Sequence, residues 1–427
     1  MQVLNILLLV DEPGHPGANY RGNWPLSALQ EAGVAKFAHH AWPEVLNDET
    51  MSLEMLTAAS KNEVAFPKQF IRDLIGADVI VLPQAATCHW YPYVRTWQNM
   101  GKVVVFDMDD DSFNVSPFSP SFAVRSTEEC TVRMLDESGI PHMLFKWEDK
   151  DKHEGADPDD LLKKDPPIQI FNLKRNRRLM GEYEKALREC DAITTTTERA
   201  ARRFREINPN VIVLPNSIDT DVYLPGRNPL RPGFRIGWFG GNSHDFDLRV
   251  ASKGLSTFLK RHPDVVVVGC GSIPRCLEKA VPPEQLEPWP WVPLSAHPWR
   301  LMGLSLDLGF CAVEPETPFN ACKSALKWTE FGAVGVASLC TDAVPYSDAV
   351  RHDEDGWLVK ETPEAWDEAF EKFYTDGALR QRIAQGARTR MEKDYDIYRN
   401  ASLWYEAYQR LIDAKHKVVA PLEIVRA

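Results

Sequence analysis

The segment Phe319–Gly356, FNACKSALKWTEFGAVGVASLCTDAVPYSDAVRHDEDG, is the most informative part of this 427-residue chain. Its first part has helical spacing, because Lys323, Lys327 and Glu330 are four and three residues apart and fall on one helical stripe. Lys323 and Glu330 are roughly 10 Å apart along that stripe. A lysine at a helix N-terminus favours a diphosphate, and a later carboxylate accepts hydrogen bonds from a ribose diol. The alternative is a solvated ion pair.

Length and composition predict a globular protein of two domains. The chain exceeds the size at which a single core stops growing, and 44% hydrophobic residues, with 13 Trp and 19 Phe, supply ample core material. The net charge of −12 argues against broad coating of nucleic acid, although a local basic patch remains compatible with it. The N-terminal run LNILLLV lacks a preceding basic region and is followed by Asp11-Glu12, so it is read as a buried strand and not as a signal peptide.

The cysteines predict a reduced, cytoplasmic protein. None of the eight forms a Cys-x-x-Cys pair or a zinc-binding spacing, and several lie in apolar runs where a thiol acts as a small core residue. No apolar run is as long as a membrane span. We therefore expect no transmembrane segment and no cysteine-bound zinc.

Short, continuously apolar runs alternate with helical segments in two series. Runs without polar alternation are typical of parallel sheets covered on both faces, so each series predicts a Rossmann-like α/β domain. The first series comprises Val3–Val10, Asp78–Leu82, Val103–Met108, Ala192–Thr196 and Val211–Leu214. The second comprises Arg235–Phe239, Val265–Val268, Leu308–Val313, Val336–Cys340 and Trp357–Val359, and we expect no strand after it.

The Pro- and Gly-rich segment Leu224–Gly233 separates the two series. We therefore expect an N-terminal domain over 1–224, a C-terminal domain over 225–395, and a helix and tail over 396–427 that pack back on the first domain. Residues 112–167 are rich in Pro, Ser and charge and fit neither series. They are expected to form an insertion that is a functional loop, a lid or a partly disordered stretch.

A glycine turn follows the first strand of the second series. Gly240 and Gly241, with Ser243 close behind, allow the backbone to approach a phosphate, although an ordinary tight turn has the same composition. Gly-x-Gly-x-x-Gly and Gly-x-x-x-x-Gly-Lys-Ser/Thr are both absent from the sequence. A nicotinamide oxidoreductase and a P-loop ATPase are therefore disfavoured.

Four carboxylates, Asp107, Asp109, Asp110 and Asp111, follow the strand at Val103. Ligands of open α/β sheets bind at the carboxyl ends of strands. Three interpretations remain open: a divalent metal site, acceptors for sugar hydroxyls, or a solvated loop. The basic stretch 172–205 holds ten Lys/Arg against five Asp/Glu. It is either a solvated helical face or a patch that attracts an anionic acceptor or a membrane surface.

The chain resembles retaining glycosyltransferases of the GT-B fold, in particular the family 4 group. The resemblance rests on the segment KSALKWTEFGAVGVAS, on Val344-Pro345-Tyr346 and Asp355-Gly356-Trp357, and on Leu214-Pro215-Asn216 in the first half. Tyr20-Arg21 and the Asp cluster look like a variant associated with bacteriophage enzymes. The resemblance implies two tandem Rossmann-like domains with an inter-domain cleft and closing C-terminal helices.

By this resemblance, Glu330 is the second glutamate of a Glu-x7-Glu motif and binds the donor ribose. The first glutamate falls at Cys322, and Gly241 and Phe246 stand where the family has Arg and Lys. The diphosphate and sugar contacts are then expected from Lys323, Ser324, Asn320, Gly240, Gly241 and Ser243. Tyr20, Arg21, Asp109, Asp110 and Asp111 are expected on the acceptor side, with Lys323, Asp109 and Asp110 taking part in catalysis.

The implied reaction moves a hexosyl or pentosyl group from a UDP- or GDP-sugar to a hydroxyl acceptor with retention of configuration. The resemblance implies no catalytic base, because the leaving diphosphate takes the acceptor proton. It implies no separate cofactor or metal, because cations and helix dipoles suffice to stabilise the departing negative charge. The acceptor is a glycan, a lipid-linked molecule or, in the phage variant, a hydroxylated DNA base. A binding module without catalysis is the alternative that Cys322 leaves open.

Overall fold

The structure is a computed structural model and describes residues 2–10, 16–41, 68–83, 91–119, 121–135, 141–226, 233–241, 244–315 and 317–418. The chain divides into two compact units, residues 111–185 and the remainder. Its described strands form two parallel sheets of six strands and one mixed sheet of three. No helix in these ranges has both the length and the apolar character needed to span a membrane.

The described strands are β1 (Leu4–Val10), β2 (Ala35–Ala41), β3 (Val79–Pro83), β4 (Val103–Met108), β5 (Cys130–Leu135), β6 (Pro141–Asp149), β7 (Ile168–Phe171), β8 (Ala192–Thr195), β9 (Val211–Val213), β10 (Phe234–Gly240), β11 (Val265–Gly271), β12 (Leu286–Trp289), β13 (Leu308–Cys311), β14 (Ala337–Thr341) and β15 (Trp357–Val359).

The described helices are α1 (Pro16–Ala18), α2 (Trp24–Glu31), α3 (Lys68–Gly76), α4 (Val94–Asn99), α5 (Phe122–Arg125), α6 (Pro158–Leu162), α7 (Leu173–Glu189), α8 (Glu198–Arg205), α9 (Arg249–Leu259), α10 (Arg275–Ala280), α11 (His297–Gly303), α12 (Pro318–Cys322), α13 (Leu326–Ala333), α14 (Tyr346–Ala349), α15 (Pro363–Thr375), α16 (Gly377–Arg390) and α17 (Ile397–Val418).

The first six-stranded sheet has the order β2-β1-β3-β4-β8-β9, with every pair parallel. All residues of β3, β4 and β8 are buried, as their unbroken apolar character predicts for a sheet covered on both faces. The five strands predicted for this sheet are confirmed. Strand β2 was missed because its sequence, AKFAHHA, is partly polar, which fits its position at the sheet edge.

The second six-stranded sheet has the order β12-β11-β10-β13-β14-β15 and is also parallel throughout. Its five predicted strands are confirmed. The additional strand, β12, reads LEPW and lies at an edge, where the missing N–H of Pro288 costs no inner ladder bond. Helices α9 and α15 pack together, and their buried side chains share one core with this sheet.

Residues 111–185 form a compact unit of their own. It contains the three-stranded sheet β5-β6-β7, so the expectation of a loop, lid or disordered stretch over 112–167 missed regular structure there. Among its described residues, one core cluster contains five buried side chains: Phe122, Val132, Phe145, Trp147 and Phe171. These aromatic and branched residues are far apart in the polar sequence, so their clustering becomes visible only in the fold.

The C-terminal helix α17 packs against the first sheet. Trp404 and Tyr408 on this helix are fully buried in the same cluster as β1, β3 and β4 residues. Ile397 N donates to Ile218 O, which ties the start of the helix to the segment that leaves the first sheet. No strand follows β15 in the described part of the chain, as predicted from the sequence.

Candidate functional site

A cavity of about 640 Å³ lies at the carboxyl ends of the strands of the second sheet. This is the edge at which open α/β sheets bind ligands. Most of its wall comes from the half of the chain that carries this sheet, and Tyr20 and Asp110 come from the half that carries the first sheet. The cavity therefore lies in the cleft between the two sheets.

The segment with the predicted helical stripe forms two short helices instead of one. Thr317 caps α12, which ends at Cys322, and Lys323 has an extended backbone with ψ of 157°. Helix α13 begins only at Leu326. The prediction that Lys323, Lys327 and Glu330 share one helical stripe is therefore wrong. The fold nevertheless brings all three to the cavity wall, together with Ser324.

Tertiary hydrogen bonds hold α12 in place before this break. Asn320 Nδ2 donates to Asp247 Oδ1 at 2.9 Å and to the Glu314 carbonyl at 3.1 Å. Asn320 is buried and is absent from the cavity wall, so it acts here by anchoring the backbone that precedes Lys323.

The Glu330 carboxylate is buried and lines the cavity. Three side chains converge on its Oε1 atom: Tyr20 OH at 2.5 Å, His297 Nε2 at 3.1 Å and Tyr223 OH at 3.4 Å. Burial opposes protonation of His297, but the adjacent carboxylate raises the pKa of this imidazole above its ordinary value. Burial and Glu330 raise the pKa of Tyr20, so the phenol stays protonated and donates to the carboxylate.

A second polar group faces the same cavity, formed by His244, Asp247, Lys323 and Lys327. His244 Nδ1 lies 2.7 Å from Asp247 Oδ2, and His244 Nε2 lies 3.1 Å from Lys327 Nζ. Lys323 Nζ lies 3.7 Å from Asp247 Oδ2. Because an ammonium group only donates, Nε2 accepts from Lys327 and the imidazole proton resides on Nδ1, which donates to Asp247.

The protonation states of this group follow from its burial and its neighbours. Burial and the Lys327 charge lower the pKa of His244 to about 4, so the ring is neutral at pH 7. Burial and the Lys323 charge also lower the pKa of Lys327. The Asp247 pKa is lowered: burial acts against this, and is outweighed by the His244 hydrogen bond and the Lys323 charge. The result is two lysines beside one anchored carboxylate.

The glycine turn after β10 contributes to the cavity wall through Gly240 and Gly241. Gly240 has φ of 155°, and a Cβ there would lie 2.9 Å from the Trp238 ring, so a larger residue is excluded by backbone and packing. Ser243, the other candidate of this turn, lies outside the described residues.

Aromatic side chains form another part of the cavity wall, here called the aromatic wall. Phe239 and His297 pack edge to face with ring centres 5.2 Å apart, and Trp291 exposes 60% of its surface. Trp291 Nε1 donates to Ser272 Oγ at 3.2 Å, which fixes the indole over Gly271.

The residues predicted for the acceptor side do not all lie at the cavity. Tyr20 and Asp110 line the cavity, whereas Arg21 is fully buried and is absent from the wall. Its guanidinium makes two 2.8 Å bonds to the Asp107 carboxylate and donates to the Leu214 carbonyl and to Asn216 Oδ1. Four N–H groups of Arg21 are therefore occupied within the protein, and its placement on the acceptor side stays a prediction.

The carboxylates after β4 have different environments. Asp109 Oδ1 is buried and has no hydrogen-bond partner among the described residues, and burial together with Asp110 and Asp107 raises its pKa. Asp111 belongs to the 111–185 unit, where it accepts from Phe113 N and Asn114 Nδ2. The described residues contain no group of three or more His, Cys, Asp or Glu arranged to hold a metal ion.

The basic stretch 172–205 is divided between the two compact units. On α8, Arg205 and Arg203 pair with Glu198 and Glu206, and Arg199 forms a fork on Asp348. Part of its positive charge is therefore neutralised by neighbouring carboxylates.

Several wall residues were missed by sequence reasoning. His244 and Asp247 have a detectable signal, since they are spaced three apart directly after the glycine turn. His297 and Trp291 on the wall have none, and neither does Tyr223, which contacts Glu330 without lining the cavity, because each reaches the site through contacts between distant segments.

Comparisons with known proteins identify the fold. No protein-family model and no curated protein sequence matches the chain. Among solved structures, Anabaena HepE with UDP and glucose superimposes with a TM-score of 0.57 at 12% identity, covering 95% of this chain and 99% of HepE. Sucrose-phosphate synthase from Thermosynechococcus elongatus gives 0.58 at 12% identity, over 96% and 100% of the two chains. A glycosyltransferase from Rickettsia africae gives 0.58 at 11%, over 96% and 99%. The chain therefore has the GT-B fold predicted from its sequence.

Proposed function

We propose that this protein is a glycosyltransferase that moves a sugar from a nucleotide-sugar donor to a hydroxyl acceptor with retention of configuration. The observation that carries the proposal is the cavity at the carboxyl edge of the second sheet, where Glu330, Lys323 and Lys327 meet. Solved structures with the same fold include HepE in complex with UDP-glucose, which supports a UDP-sugar over a GDP-sugar as the donor.

We propose one orientation of the donor in the cavity. The nucleobase stacks on the aromatic wall at Trp291, and the ribose diol donates to Glu330. Since Tyr20, His297 and Tyr223 all approach Oε1, we assign the ribose hydroxyls to Oε2. Diphosphate oxygens then lie against the lysines.

The diphosphate is assigned to Lys323, Ser324, Lys327 and the first turn of α13, with the backbone at Gly240 and Gly241 assisting. By the family resemblance, Gly241 and Phe246 stand where an Arg and a Lys are expected, so we assign the positive charge to Lys323 and Lys327. The Asp247 carboxylate and the neutral His244 ring hold the two lysines in place.

The residues present can support a front-face transfer without a separate base. As the bond from the anomeric carbon to the diphosphate breaks, negative charge grows on the phosphate, and Lys323 and Lys327 stabilise it. The departing phosphate oxygen takes the proton of the acceptor hydroxyl, which attacks from the same face. Asp109 and Asp110 are assigned to holding the acceptor hydroxyl in position.

The acceptor is proposed to enter from the side of Tyr20 and Asp110, with residues 1–224 as the acceptor domain, 225–395 as the donor domain and 396–427 as the closing segment. An envelope glycan, a lipid-linked glycan and a hydroxylated DNA base remain the candidate acceptors. A binding module without catalysis is the second candidate, favoured by the cysteine at position 322 in place of a glutamate.

The test is a panel of UDP- and GDP-sugars read by thermal shift and by release of free nucleotide. A donor at 100 times its dissociation constant should stabilise the protein by about 2.7 kcal/mol. Slow hydrolysis of the stabilising donor, with the α-anomer released from an α-linked donor, supports the enzyme and its retention. Stabilisation without any hydrolysis or transfer would instead identify a binding module, and no stabilisation by any donor would exclude both.

A further inference from the structure

A second cavity, of about 480 Å³, adjoins the donor cavity and is not used by the reaction as described so far. The two cavities share the wall residues Lys323, Ser324, Leu326 and Pro345. One side of the second cavity is the start of α8, and the other side is formed by α12, α13 and α14. A molecule bound here therefore lies next to the proposed position of the donor diphosphate.

The start of α8 is oriented toward this second cavity. Thr197 is the N-cap, and its hydroxyl accepts from Ala200 N at 3.2 Å. The first-turn N–H groups of an eight-residue helix such as α8 point out of its end and favour an anion.

Thr196, the residue before the cap, supplies an independent observation. It lines the cavity, only 4% of its surface is exposed, and its hydroxyl has no hydrogen-bond partner within the described part of the chain. A buried hydroxyl without a partner is unfavourable, and an acceptor oxygen bound in the cavity would satisfy it.

The charged residues of the wall are three cations and two carboxylates: Arg199, Arg202, Lys323, Glu198 and Asp348. Arg199 is held by Asp348, with Nη2 at 3.0 Å from Oδ1. Arg202 is held only loosely, because its Nε lies 3.9 Å from Glu198 Oε1 and its side chain is 72% exposed. Arg202 can therefore turn toward a bound anion at little cost.

From these contacts we infer that the second cavity binds an acidic group, a phosphate or a carboxylate, carried by the hydroxyl acceptor. This inference rests on the proposed function and narrows its acceptor class. Thr196, the first turn of α8 and Arg202 hold the oxyanion, while Lys323 lies between it and the donor. Neutral acceptors lack the group that these residues would bind.

The experiment measures oxyanion binding while the donor cavity is filled. With UDP at saturation, inorganic phosphate, glucose 6-phosphate, glucuronate and glucose are titrated by calorimetry. Binding of the phosphate and carboxylate probes but not of glucose is expected, and the tighter of the two sugar acids identifies the group. Failure of every acidic probe to bind the UDP complex would overturn the inference.

Three variants and one control assign the binding to these residues. Arg202→Ala should weaken phosphate binding about tenfold or more, since a charge-assisted bond is lost, and Thr196→Val should weaken it less. Asp348→Asn should strengthen it by releasing Arg199. Arg203→Ala, on the same helix and paired with Glu206, should have no effect, because neither residue lines the cavity. Equal losses in Arg202→Ala and Arg203→Ala would contradict the assignment.

UDP binding and donor hydrolysis by the same proteins keep the two proposals separate. A wild-type protein that binds phosphate in a manner sensitive to Arg202 but binds no nucleotide would refute the proposed donor site and leave the oxyanion site standing. Normal donor hydrolysis with no oxyanion binding would do the reverse.

Discussion

The carboxyl edges of the two sheets contain the same chemistry in opposite settings. At the first sheet, Arg21 and Asp107 form a fully buried ion pair with two 2.8 Å bonds. At the second, Lys323 and Lys327 surround Asp247 and His244 on the wall of an open cavity. Both places combine cations with carboxylates, and both follow the strands at which ligands of α/β proteins bind.

The two places differ in what the N–H groups of their cations bond to. Four N–H directions of Arg21 are occupied by Asp107, Leu214 and Asn216, so its charge is neutralised inside the protein. The lysines of the second sheet have their anchor on one side and the cavity on the other. A cation near a strand end therefore indicates a ligand site only if part of its bonding capacity faces open space.

The largest effect is expected from Arg21→Met, measured as the free energy of unfolding in urea. Removing one partner of a buried pair leaves the Asp107 carboxylate unpaired, which should cost about 3–5 kcal/mol. Arg199→Ala is the control, because its exposed pair with Asp348 should be worth about 1 kcal/mol at most. If Arg21→Met kept its stability and lost only transfer to acceptor, the structural role would be refuted.

The next largest effect is expected from Lys323→Ala and Lys327→Met, measured as kcat and KM by steady-state kinetics. Each lysine stabilises charge that grows on the leaving diphosphate, and losing one such group typically lowers kcat about 10²–10³-fold. KM should rise much less, because the charge is smaller in the ground state. Lys260→Ala, an exposed lysine on the same half of the chain, is the matched control. A change confined to KM would mean that the lysines only hold the donor.

Glu330→Gln should weaken donor binding by about ten- to hundredfold, because charge-assisted bonds to the ribose become neutral ones. Calorimetric titration with UDP measures the change, and circular dichroism shows whether the fold is kept. Glu364→Gln removes an exposed carboxylate outside the cavity wall and should leave binding unchanged. Wild-type affinity in Glu330→Gln would exclude the ribose assignment.

His244 should make the stability of the protein decrease at acid pH. Its folded pKa of about 4 is below the ordinary value of 6.5, so the unfolded chain takes up the proton first and stability falls as pH decreases from 6.5 to 4. At pH 5 the penalty relative to pH 7 is about 2 kcal/mol. Urea midpoints at both pH values should show it in the wild type and not in His244→Gln. The same pH difference in both proteins would place the titration elsewhere.

The smallest effect is expected from Asp110, which follows β4 of the first sheet and lines the cavity. Asp110→Asn should reduce transfer to acceptor by the value of one hydrogen bond, about 0.5–1.5 kcal/mol, and leave donor binding intact. Asp109→Asn should have no larger effect, because Asp109 does not line the cavity and its Oδ1 is buried. EDTA should leave activity largely unchanged. Loss of donor binding on chelation, restored by Mn²⁺ or Mg²⁺, would make these carboxylates a metal site.

Local pattern predicted the framework of this protein well. Continuous apolar runs predicted ten of the strands in the two parallel sheets, because a strand that is buried on both faces needs apolar residues at nearly every position. Less continuous apolar runs were missed, namely the edge strands β2 and β12 and the strands of the 111–185 unit. The break before α13 was missed as well, since the bonds of Asn320 that fix it reach across 73 residues to Asp247.

The sequence by itself determined the two-sheet architecture, the glycine turn after β10 and the presence of Glu330 and two lysines near one helix N-terminus. Only the tertiary structure decided what those charges do. Tyr20 and Arg21 are neighbours in the chain, yet Tyr20 bonds Glu330 across 310 residues and Arg21 bonds Asp107 across 86. The physical reason is that apolar periodicity is a local property, whereas the use of a charge depends on which distant groups the fold places beside it.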